Sequence, residues 1–174
     1  MRRSGAISVL WASVCSLLLC GCVSSRPGPG GIDREDLASA DDAFRPVAMR
    51  VFPLTRVLPG VSGGEPSVEL HIELRDQWGD TTKGVGDLTV QLFRAGLGGA
   101  PGARERAWSM SLTDLDRNAQ WFDPTTRTYR IELASAPRWI AEPGAVPGVL
   151  RATLVTVQPT GRELIIWDEF ILRR

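Results

Sequence analysis

Between Ser67 and Arg75 the chain alternates without a break. Val68, Leu70, Ile72 and Leu74 fall on one side, and Glu69, His71, Glu73 and Arg75 on the other. Side chains two apart share a strand face, so this period predicts a half-buried antiparallel strand. The pattern recurs over Thr128–Ala134, with Tyr129, Ile131 and Leu133 inward and Arg130 and Glu132 outward. Ala107–Leu112 sets Trp108, Met110 and Leu112 against Ser109 and Ser111, and Leu88–Phe93 offers Leu88, Val90 and Leu92. A chain that repeats this period so often must build paired sheets.

The last two segments predict a hairpin. Val149–Gln158 and Glu163–Leu172 flank Pro159-Thr160-Gly161-Arg162, whose glycine can take a positive φ in a tight turn. Ile165-Ile166-Trp167 is apolar on both faces, which predicts either a bulge near Asp168 or a strand covered on both sides. With Val47–Val57 added, about seven strands separated by Gly- and Pro-containing loops suit a two-layer antiparallel β-sandwich. The architecture resembles an immunoglobulin-like or related sandwich, without the Cys-Trp-Cys signature of true immunoglobulin domains. No repeat at a solenoid period is present.

The first 22 residues carry a different message. Arg2 and Arg3 precede an uncharged apolar run, Ala6–Leu19, too short to cross a bilayer but of the length of a secretory signal. Leu19-Cys20-Gly21-Cys22 closes that run. It resembles the lipobox of bacterial lipoproteins, with Leu19, Gly21 and Cys22 at the matching positions and Cys20 departing from the usual middle residue. The resemblance implies cleavage between Gly21 and Cys22, acylation of Cys22, and a membrane-held mature protein in the cell envelope. Val23, where Asp would imply inner-membrane retention, implies the outer membrane by the same resemblance.

Three regions follow. Residues 1–21 read as a signal peptide, 22–45 as a lipidated cysteine with a tether, and 46–174 as the sandwich. Val23–Ile32 is rich in Ser, Pro and Gly and reads as flexible tether. Leu37, Ala40 and Phe44 are spaced for about one or two helical turns over Asp33–Phe44.

All three cysteines, 15, 20 and 22, lie at the N-terminus. The predicted domain therefore has no disulfide, thiolate ligand or cysteine nucleophile and depends on core packing. The full chain has 20 basic and 20 acidic residues, and loss of Arg2 and Arg3 takes the mature side-chain total to about −2. No basic surplus is there to neutralise phosphates, so nucleic acid is not the expected partner.

Catalytic and metal signals are weak. His71 is the sole histidine, set between Glu69 and Glu73 on a face read as a solvated strand surface. The usual Ser-His-Asp and Cys-His arrangements have no further histidine to draw on. Asp76, Asp80 and Asp87 frame a loop whose spacing matches no calcium loop, and Asp114-Leu115-Asp116 is similar, so turn chemistry is expected at both. The glycine runs at 59–64 and 96–102 do not follow phosphate-binding spacings. Trp108 and Trp167 lie in strand patterns and are expected in the core. Trp78 and Trp139 fall in loops, where an exposed indole can stack on a sugar or fill a partner's pocket, or fold over the sandwich ends.

The expectation is a lipid-anchored, non-catalytic envelope lipoprotein that binds another protein or aids assembly, with no cofactor. A glycan-binding module using Trp78 or Trp139 is the alternative. A hydrolase is disfavoured for want of a nucleophile, base or metal set.

Overall fold

The structure, a computed structural model, describes residues 43–158 and 160–172. The stretches read from the sequence as signal peptide (1–21) and tether, Cys22, and nearly all of the Asp33–Phe44 segment lie outside the described residues. Ten strands are described: β1 (Ala48–Val51), β2 (Arg56–Leu58), β3 (Ser67–Arg75), β4 (Thr81–Thr82), β5 (Asp87–Ala95), β6 (Pro101–Ser111), β7 (Phe122–Asp123), β8 (Thr128–Leu133), β9 (Gly148–Val157) and β10 (Glu163–Leu172). One α-helix, α1 (Leu115–Trp121), stands between β6 and β7. Three of the strands are only two or three residues long, so the sequence pattern saw the seven that matter for the core.

The strands form two antiparallel sheets packed face to face, the predicted all-β sandwich. One runs β1-β3-β8-β7, with β2 and β4 also on β3, and the other runs β10-β9-β5-β6. The inward rows are those that the alternation marks: Val68, Leu70, Ile72 and Leu74 face Leu88, Val90, Leu92, Leu150, Leu154 and Ile166 across a dry core. Truncating any one of these leucines to alanine removes buried area and opens a void, at about 2–5 kcal/mol.

The expected strand Val47–Val57 is broken in two. Pro53 cannot donate to a ladder, and Thr55 N–H closes a turn on Phe52 O at 2.9 Å, so β1 ends and β2 restarts lower on β3. The gap leaves the middle of β3 without a ladder partner on that side. Phe52 N–H fills it by donating to His71 O, and Thr55 Oγ1 accepts from His71 N–H at 3.0 Å.

The hairpin β9–β10 keeps one register from Glu163↔Val157 to Leu172↔Gly148, with no bulge at Asp168. Parity then decides the ambiguous triplet. Ile166 points into the core, while Ile165 and Trp167 stand on the outer face of the sheet. Trp167 is only partly buried, packed at the core's margin, which corrects the expectation of a core tryptophan. Trp108 does face the core row, and its Nε1–H donates to Ala134 O at 2.7 Å across to the other sheet.

The turn after β6 is a helix, where only loop chemistry was expected. Asp114 caps α1 by accepting from Asp116 N–H and Arg117 N–H, which places its carboxylate on two of the free amides of the first turn. Asn118, on the helix, is buried. Its Nδ2 donates to Gly84 O at 2.7 Å and Leu112 O at 2.8 Å, and its Oδ1 accepts from the Tyr129 hydroxyl at 2.8 Å. Tyr129 in turn accepts from Gly84 N–H, so α1, β8 and the 83–86 crossover are tied at one end of the sandwich. Burial pushes the Tyr129 hydroxyl pKa up, outweighing these hydrogen bonds.

Candidate functional site

The polar row of β3 is not a solvated surface. Glu69 is 7% exposed and His71 5%, because β2, the 52–55 turn and the β7–β8 turn fold over them. Each side chain beneath that cover has a partner. Arg56 Nε donates to Glu69 Oε1 at 3.0 Å, and Arg130 Nε donates to Oε2 at 2.9 Å. His71 Nδ1 lies 3.0 Å from Thr128 Oγ1, and its Nε2 is 3.7 Å from Glu69 Oε1.

Burial by itself would raise the Glu69 carboxyl. The Arg130 hydrogen bond and the charges of Arg130 and Arg56 outweigh it and hold the carboxyl below its ordinary value. The carboxylate is thus fixed as an acceptor between two guanidiniums whose outer sides remain in solvent. Above it opens a shallow hollow of about 430 Å³, walled by Pro53, Leu54, Asp123 and Thr126. Asp123 accepts from Thr125 N–H at 2.8 Å, and that bond lowers its pKa. The arrangement locks three strands together and gives the surface a fixed pattern of charge. Its residues come from elements 13 and 61 positions from Glu69, so only the strand register brings Arg56 and Arg130 to it.

A second feature lies on the outer face of the β10-β9-β5-β6 sheet. Arg151 lays its guanidinium 5.3 Å from the Phe93 ring centre and 5.9 Å from that of Trp167, and its Nε donates to Glu169 at 2.7 Å. Ile165, one step along the hairpin, is 53% exposed. Rings, an arginine and aliphatic side chains so grouped are the residue types that anchor protein interfaces.

The loop tryptophans separate. Trp78 is 58% exposed and tilts against Phe44 with ring centres 5.4 Å apart. Trp139, in the short 3-10 turn Arg138–Ala141, is half-buried under Arg94, whose guanidinium is 4.7 Å from its ring centre, and packs over the opposite end of the core. Its Nε1 is buried and finds no partner among the described residues. Asp76 accepts from Trp78 N–H and Asp80 N–H, the turn chemistry that the sequence predicts. Cys22 and Gly21 lie outside the described residues.

Among the described residues, no three His, Cys, Asp or Glu are grouped to hold a metal, and no helix is long and apolar enough to cross a membrane. No protein-family model matches the chain, and neither a curated protein nor a solved structure matches it.

Proposed function

We propose that this chain is a lipid-anchored protein of the cell envelope, held at the outer membrane through Cys22, whose β-sandwich binds another envelope protein and catalyses no reaction. The observation that carries the binding half is the Phe93–Arg151–Trp167 group, with exposed Ile165, on the outer face of its sheet. Large rings gain much area at a small entropy cost, and Arg151 is already held in place by Glu169, which is why such a group carries interface energy. The anchoring half rests on the Leu19–Cys22 pattern and the Ser-, Pro- and Gly-rich stretch after it. A lipid anchor concentrates the domain at the surface where its partner sits, so even a modest interface suffices.

A photo-crosslinking residue at Ile165, introduced into cells that express the full chain, tests the binding half. A discrete adduct in the membrane fraction, lost in Arg151→Ala and Trp167→Ala, is the expected outcome. Irradiation that gives only the uncrosslinked chain overturns it. The glycan alternative draws on Trp78, since Trp139 is folded under Arg94. Retention on purified envelope polysaccharide that disappears in Trp78→Ala would put glycan binding in place of protein binding.

A further inference from the structure

We infer that the end of the sandwich where residue 43 lies is itself a membrane-contact surface, with Trp78, Phe44 and Val85 seated in the interfacial layer of the lipid bilayer. The inference rests on the lipid-anchor reading and goes beyond it. An acylated Cys22 explains tethering, but not how the domain sits once it is tethered.

The placement comes from the topology. Residues 43–47 run into β1, whose first residue pairs with Arg75 at the end of β3. The 76–80 turn, the 83–86 crossover, the start of β5 and the end of β9 all lie at this end. Phe44 is 71% exposed, Trp78 58% and Val85 50%. These three are not scattered. Phe44 touches the Trp78 ring, and Phe44, Val85 and the exposed Val157 line one hollow of about 560 Å³. Leu115, at the start of α1, is exposed at the same end.

Tether length identifies the occupant. From Cys22 to Ala43 is 21 residues. A chain of that length reaches at most about 70–75 Å even fully extended, so an acylated Cys22 keeps this end of the sandwich near the lipid. The lipid surface is therefore the most concentrated apolar medium that this end meets. Tryptophan is the side chain best suited to that layer, with an apolar body and one N–H for the headgroups. The backbone around it is fixed for presentation: Asp76 accepts the Trp78 N–H at 2.9 Å, and Thr82 Oγ1 donates to Phe44 O at 2.8 Å.

Charge does not drive this contact. Arg45 and Lys83 stand beside Asp87 and Glu163 around the hollow, with Asp76 and Asp80 in the Trp78 turn. Four carboxylates against two cations leave this end slightly acidic, so anionic lipid should not strengthen the contact, unlike that of a polybasic segment.

The test uses the mature protein isolated from membranes and reconstituted into phosphatidylcholine vesicles, with and without bromine on the acyl chains. Bromine quenches only indoles that reach the bilayer. Wild-type emission should fall in brominated vesicles, most of that loss should vanish in Trp78→Phe, and Trp139→Phe, at the opposite end of the core, should retain it. Replacing a third of the lipid with phosphatidylglycerol should not deepen the quenching. Quenching that is absent, or equal in wild type and Trp78→Phe, overturns the inference. The mass of residue 22 is read on the same sample: an unmodified Cys22 defeats the anchor reading and, with it, the tether argument for the bilayer, whereas an acylated Cys22 with unquenched Trp78 defeats the membrane-contact surface alone.

Discussion

The backbone N–H of Val51, at the end of β1, donates to Asp168 Oδ2 on β10 at 2.8 Å. β1 is an edge strand of one sheet and β10 of the other, so a carboxylate from the second sheet caps an unpaired amide of the first. On the opposite side, Trp108 on the edge strand β6 donates to Ala134 O just past β8. A side-chain hydrogen bond thus spans each seam of the sandwich and occupies a backbone group near its edge. Asp168 holds its place on the inward row of β10 because of this bond, with no bulge needed to turn it outward.

Asp168→Ala should therefore lower the unfolding free energy by about 1–3 kcal/mol, the range for a hydrogen bond to a charged acceptor whose donor is left behind. Asp168→Asn keeps an acceptor and should cost less. Urea unfolding of the two variants checks the order. Equal stability of Asp168→Ala and wild type would show that the seam does not depend on this contact.

Asn118 is the centre of a fully satisfied buried network, and such networks are costly to break at one point. Asn118→Leu removes both donors to Gly84 O and Leu112 O and the acceptor for the Tyr129 hydroxyl. A loss of about 2–4 kcal/mol is expected, with Tyr129→Phe losing about 1–2 kcal/mol. The double variant should lose less than the sum, because the two share a bond. Strict additivity in thermal unfolding would contradict the network.

Glu69 supplies the acid limb. Its folded pKa lies below the ordinary 4.5, so its stabilising contribution is present above the ordinary value and is lost as pH falls through the folded one. The fold should weaken as pH drops below about 4.5, and Glu69→Gln should flatten that dependence while lowering stability near neutrality. The loss at pH 7 should be about 1–2 kcal/mol, less than for a fully buried pair, since both arginines can turn to solvent. Denaturant midpoints at pH 3, 5 and 7 give the comparison. An acid limb as steep in Glu69→Gln as in wild type would assign it to other carboxylates.

Gly86 adopts φ +155°, and a Cβ there would stand 2.2 Å from Val155 O. The obstacle is the backbone of β9, which cannot rotate away, so Gly86→Ala should cost about 3 kcal/mol or more. Gly79, also at positive φ but with open space around it, should tolerate alanine better. Parallel melting of the two variants tests the contrast, and similar melting temperatures would contradict it.

The alternation at 67–75 carries both the strand and its core row, because the sheet's period of two is written residue by residue. Its outer row is another matter. Whether Glu69 and His71 meet water depends on what the 52–58 segment does, and that is settled by Pro53, the Phe52–Thr55 turn and the pairing of Arg56 with Glu69. Pro53 lies inside Val47–Val57, which the sequence reading takes as one strand, so neither the break nor the cover that it makes is foreseen. Trp167 was misassigned because Ile165 and Ile166 are equally apolar, and only the register fixes which faces in. The early half of β6, Pro101–Arg106, carries no strand pattern at all and is drawn out by pairing with β5 across two register shifts. The helix α1 was within reach, since Asp114 is a strong N-cap residue, but seven residues give too short a period to stand out.

The central claim is that Cys22 becomes the acylated first residue of the mature protein. The mass of the N-terminal peptide of the protein taken from native membranes tests it most directly. The account predicts a peptide that begins at Cys22 and carries fatty-acyl mass. A peptide that retains Met1, or one that begins elsewhere with Cys22 bare, would contradict it.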